Sequence, residues 1–195
     1  MKKLLCFLLL GVMMTTTSVA GGAPLNPAFD PLQTPRLLSF KKKINFESAI
    51  AKEKSEYVAL DWSKIKLPAD LSTWKMTSNE VTSNDDRHRI EAEFEHGASR
   101  VGIYVYVFKS DRKQKAANSF LLKADNTTMM EIFYMPSPIP VGTISIVDNI
   151  KAPADGLFLF HNVYTEISTS GKDDSLFRFA KWLQNEYEKN LKPLK

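Results

Sequence analysis

The sequence predicts an α+β fold, an antiparallel sheet covered by helices, with elements in the rough order helix-strand-strand-helix-strand-strand-strand-helix. Three observations carry this expectation. Side chains alternate with a period of two on either side of a glycine turn between residues 90 and 108. Two segments, around residues 117–124 and 176–187, repeat apolar side chains at helical spacing. Between and after them, β-branched and aromatic runs follow one another across proline and glycine punctuation.

Length and composition fit one domain with one substantial core. The chain has 195 residues, 44% of them hydrophobic and 25% charged, which excludes collagenous, low-complexity and wholly disordered classes. A domain of this size buries about 70% of the surface its unfolded chain exposes, enough to fold without metal or disulfide staples.

Residues 1–20 read as a secretory signal peptide. Lys2 and Lys3 precede an apolar run from Leu4 to about Met14, and Ser18-Val19-Ala20 offers the small residues that cleavage between Ala20 and Gly21 needs. The apolar run is too short to span a bilayer comfortably. Cys6 is the sole cysteine, so the mature chain is expected to hold no thiol, disulfide or cysteine-ligated metal. Losing Lys2 and Lys3 lowers the formal charge from +4 to +2, which gives no general attraction for nucleic acid.

Residues 21–44 contain Gly21, Gly22, Pro24, Pro27, Pro31 and Pro35 and read as a Pro-rich extended tether closed by Lys41-Lys42-Lys43. The single α+β domain is expected over 45–195. Asn45 as a cap and Glu47 in a first turn predict a helix over about 46–56. Residues 58–86 show weak periodicity but carry Trp62, Leu67, Leu71, Trp74 and Met76, apolar side chains suited to covering a core from loops.

The hairpin follows. Ile90, Ala92, Phe94 and His96 alternate with Glu91, Glu93 and Glu95, and after a turn at 97–99 the strand 101–108 is rich in β-branched and aromatic residues. Ser110 and Asp111 then start an amphipathic helix striped by Ala117, Phe120, Leu121 and Ala124 and ending near Asn126. Strands are expected at about 129–135, 143–147 and 157–168. The last helix, capped near Asp173 to Ser175, carries Leu176, Phe179, Ala180, Leu183 and Tyr187 on one stripe.

Candidate binding residues cluster on the hairpin. Glu91, Glu93 and Glu95 project from one strand face about 7 Å apart, a row that suits a hard cation, a basic partner, one carboxylate of a glycosidase-type pair or the solvated face of a half-buried hairpin. Tyr104, Tyr106 and Phe108 form an aromatic row opposite Val101, Ile103, Val105 and Val107. This row is either a recognition platform or, in a sheet covered on both sides, core. Arg87, His88 and Arg89, with Lys109, Arg112, Lys113 and Lys115, mark a basic end of the hairpin.

Catalytic signals are sparse. His161, among Phe158, Phe160, Val163 and Tyr164, suits a general base or a hydrogen-bonded strand histidine. His88 and His96 lie eight residues apart, too far along one strand to share an ion. G-x-S-x-G, Walker and dinucleotide motifs do not occur in the mature chain. No catalytic residue, cofactor or metal is assigned.

The resulting expectation is an exported, soluble, non-enzymatic module, periplasmic or extracellular, that binds a protein or an envelope component. It has no nucleic-acid partner and no transmembrane segment once the signal is cleaved. One alternative is a secreted hydrolase acting on an envelope polymer or small ester, with His161 and one of Glu91, Glu93 or Glu95 as acid or base. Another is an inhibitor or immunity-like protein, recognisable by a tight one-to-one complex.

Overall fold

The alternating segment at 87–108 lies at the centre of one long antiparallel sheet. The computed structural model describes residues 30–129, 134–170 and 174–194. The segment read as a signal peptide, with the cleavage expected between Ala20 and Gly21, and the first part of the expected tether lie outside the described residues.

Strands β1 (Glu56–Val58), β2 (Lys75–Ser83), β3 (Arg87–His96), β4 (Ser99–Phe108), β5 (Met135–Pro136), β6 (Ile144–Val147), β7 (Asp155–Phe160), β8 (Val163–Thr169) and β9 (Leu191–Pro193) are joined by helices α1 (Pro35–Lys43), α2 (Phe46–Ala51), α3 (Lys113–Met129) and α4 (Ser175–Lys189). Among the described residues seven strands make the main sheet in the order β2-β3-β4-β8-β7-β6-β5, and β1 pairs with β9 in a separate ribbon. Every pairing is antiparallel. The chain is α+β, as the sequence predicts, with an added edge strand, an added N-terminal helix and the small ribbon.

The pleat of the hairpin divides the molecule into three layers. On one face Ile90, Ala92 and Phe94 of β3 and Val101, Ile103, Val105 and Val107 of β4 pack under Leu176, Phe179, Ala180, Leu183 and Tyr187 of α4. Phe179 is the hub of this core, with ring centres 4.9 Å from Phe94, 5.1 Å from Trp74 and 5.8 Å from Trp182. On the other face Ala117, Phe120, Leu121 and Ala124 of α3 cover Ile144, Ile146, Leu157, Leu159 and Tyr164. Each of the two helical stripes read from the sequence is buried along its length. Each half of the sheet is a strand meander followed by a helix, but the two helices dock on opposite faces, so the halves are not equivalent.

Four local readings change. Residues 30–44 of the expected tether are not an extended segment: Thr34 caps α1, Pro35 takes its first position, and Leu37 is fully buried against the α3 layer. Pro31 starts a 3-10 turn and Pro35 a helix rather than extending the chain. Asn45 does not cap α2; with φ +53° it follows α1 in the left-handed conformation, a position that favours glycine or asparagine. The strand expected over 157–168 is two strands, β7 and β8, folded back at His161 and Asn162. Residues 75–83, read as loop, form β2; residues 130–133, expected in a strand, lie outside the described residues.

Candidate functional site

Helix α3 runs over β4, β7 and β8, while the outward face of β2 and β3 is polar. The register brings Glu91 opposite Tyr104, Glu93 opposite Gly102, Arg89 opposite Tyr106 and Arg87 opposite Phe108. On β2, Glu80 stands across from Glu91 and Ser78 from Glu93. The acidic and aromatic rows singled out from the sequence therefore share one face of one sheet.

The aromatic row is graded from core to surface. Phe108 is 4% exposed and belongs to the α3-side core, so it packs rather than presents. Tyr106 is half-buried and stacks on Tyr164 at 5.3 Å, and burial raises the pKa of its hydroxyl. Tyr104, nearest the open end, donates its hydroxyl to Glu91 Oε1 at 3.0 Å, a bond that raises its pKa. Arg87 lies 4.8 Å from the Tyr106 ring centre and Arg89 5.2 Å from that of Tyr104, so guanidinium groups occupy the ring faces a sugar would need. What the face offers is an alternating arginine, tyrosine and carboxylate surface.

Glu91 is the best anchored of the acidic row, accepting from Arg89 at 2.6 Å as well as from Tyr104. Glu95 pairs with Arg100 at 2.9 Å. Glu93 is exposed beside a shallow hollow of about 350 Å³, whose floor is Gly102 and whose far wall includes Ser168 and Ser170. A Cβ at Gly102 would meet Ser168 Oγ at 3.1 Å, so the glycine deepens this hollow.

The basic residues at the other end of the hairpin do not form an open cationic patch. Asp86 accepts from Lys115 at 2.7 Å and faces Arg112 at 3.8 Å, and Lys113 turns inward. His88 shares a hydrogen bond with Ser83 Oγ at 2.8 Å, and His96 sits over Trp74 and bonds Thr73 O.

Inward-turning Lys113 joins a second cluster, which the sequence did not disclose. Glu53, just after α2, accepts at Oε1 from the Thr143 hydroxyl and from the His161 backbone N–H at 2.9 Å. Lys113 donates to Lys54 O at 3.1 Å and to His161 Nδ1 at 3.3 Å and pairs with Glu53 Oε2 at 3.3 Å. Its three ammonium protons thus have three acceptors. The carboxylate beside His161 is this one, 3.9 Å from Nδ1, rather than Glu91, Glu93 or Glu95. Burial lowers the His161 pKa; Glu53 opposes that shift and Lys113 adds to it. An adjoining cleft of about 590 Å³ is lined by Asn45, Lys52, Thr143, Phe160, His161 and Glu188 among others.

The sequence pattern offers little notice of this cluster because its members come from four segments with no common spacing. His161 itself is the exception, and its backbone marks it: φ is +52° at the first central position of a two-residue hairpin turn, where glycine is the usual occupant.

Among the described residues no group of three or more histidine, cysteine or acidic side chains is placed to hold a metal ion. None of their helices is long and apolar enough to cross a membrane. No protein-family model, curated protein or solved structure matches the chain.

Proposed function

We propose that the chain is an exported, non-enzymatic binding module whose partner adds a strand to the β2 edge, with Glu91, Glu93, Glu95 and Tyr104 on the adjoining open face contributing selectivity. Export is supported by the pattern of residues 1–20.

One observation carries the binding reading: the two edges of the main sheet are treated differently. Among the described residues the β5 edge is two residues long, ends in Pro136 and runs into Pro138 and Pro140, the usual protection against unwanted pairing. The β2 edge is nine residues long, exposed at every residue, contains no proline and carries only Lys75 and Glu80 as charges. A row of main-chain donors and acceptors left in that state is a template for another strand.

The test is capture of partners from an envelope extract by wild type and by a Val81→Lys/Thr82→Lys variant. Both positions are exposed on the edge strand, so circular dichroism should be unchanged. Loss of a captured protein with the variant supports strand addition; identical partner sets remove it.

A hydrolase is the second reading, favoured by the cleft at His161. Its weakness is that the imidazole Nδ1 already accepts from Lys113 and the ammonium is itself fully bonded. Ester turnover abolished by His161→Gln would establish it.

A further inference from the structure

We infer that the strand accepted at β2 is an amphipathic extended peptide, cationic on the side beside Glu80, Glu91 and Glu93 and apolar on the side beside Met76 and Val81. This rests on the strand-addition reading above and specifies its partner.

The register sets the two layers. Lys75, Ser78, Glu80 and Thr82 pair with Glu95, Glu93, Glu91 and Arg89, all on the open face. Met76, Asn79 and Val81 pair with Phe94, Ala92 and Ile90, all on the α4 side. The bulge between Met76 and Ser78 interrupts the ladder, so the regular stretch available to a guest is residues 78–83, about 20 Å of strand. A guest strand's alternate side chains fall into the same two layers as those of β2.

In the open layer Glu80 and Glu91 stand directly opposite each other, a like-charge arrangement that destabilises the pair. Glu91 is answered by Arg89 and Tyr104. For Glu80 and Glu93 no cation within ion-pairing distance is found among the described residues. A lysine or arginine on the next strand outward would stand about 5 Å from Glu80 at Cβ, close enough to offset the repulsion. The attraction is local, because the chain as a whole carries a formal charge of +4 and does not draw cations to its surface generally.

The second layer is apolar and stops short. Ile90 and Phe94 are buried, whereas Val81 and Met76, one strand further out, are 52% and 43% exposed. Between them Asn79 Oδ1 accepts the Trp62 indole N–H at 2.9 Å and so keeps the indole side of the core closed. Apolar guest side chains would continue this layer past Met76 and Val81 and remove both from water.

The experiment uses the full chain and three labelled eight-residue peptides read by fluorescence anisotropy: alternating Lys and Val, alternating Glu and Val, and the Lys/Val peptide with alternate backbone nitrogens methylated. The Lys/Val peptide should bind, its affinity should fall about fivefold or more with Glu80→Lys, and the Glu/Val and methylated peptides should bind at least tenfold more weakly. Equal binding of the Lys/Val and Glu/Val peptides with loss on methylation overturns the charge assignment while leaving strand addition standing. Undiminished binding of the methylated peptide overturns both. Failure of the Lys/Val peptide to bind overturns the inference, as does a dimer in sedimentation that this peptide does not dissociate, which would give the edge to a second copy of the chain.

Discussion

Asn162 shows how much of this fold depends on single side chains away from any binding surface. It is fully buried; its Oδ1 accepts from Val58 N–H at 2.6 Å and its amide donates to Val58 O and Phe108 O. The side chain thus acts as a piece of strand backbone tying β1 to the end of β4. Asn162→Ala should cost about 3 kcal/mol, the penalty for stranding several buried main-chain groups, read as a lower urea midpoint with unchanged slope. The neighbouring His161 sets a pH dependence. Its pKa is lowered by folding from an ordinary value of 6.5, so below about 6.5 the unfolded chain binds a proton the native chain excludes. Stability is therefore full above that pH and falls as the pH drops through it. Urea midpoints measured at pH 7.5 and 5.5 should differ more for wild type than for His161→Gln; equal differences would remove His161 as the source.

At the scale of elements, legibility followed amphipathicity. The stripes of α3 and α4 and the alternation of β3 were readable because each has one wet and one dry side, and periodicity then reports burial directly. The strand β2 escaped notice because it is exposed on both faces, so its sequence, KMTSNEVTS, has no alternation to read. The 157–168 segment failed for the opposite reason. Both β7 and β8 are largely buried on two faces, their hydrophobic runs merge, and the only interruption, His161-Asn162, lacks the glycine that normally announces a tight turn. The acidic row at Glu91, Glu93 and Glu95 was visible from strand parity alone. That Glu91 is anchored, Glu95 paired and Glu93 set beside a hollow depends on β4 and β8, which the parity of β3 does not specify.

For the molecule as a whole, two cores share one sheet. All three tryptophans, Trp62, Trp74 and Trp182, lie in the core under α4, whereas Phe120 lies in the core under α3. Because β4, β7 and β8 contribute side chains to both, the layers should unfold together. Phe120→Ala, a cavity worth about 4 kcal/mol, should lower the midpoint seen by tryptophan fluorescence and by far-ultraviolet circular dichroism equally. A shift in circular dichroism alone would show that the layers unfold separately. The sequence by itself determined the fold class, the helix stripes and the parities that set Glu91, Glu93 and Glu95 on one face of β3 and Tyr104, Tyr106 and Phe108 on one face of β4, since these follow from local periodicity and the geometry of the backbone. Only the tertiary structure decided which strands lie at the edges, which aromatic rings are covered and which charges meet Lys113 and His161. Those depend on pairings between distant segments, and no short-range pattern encodes a contact whose partners are far apart along the chain.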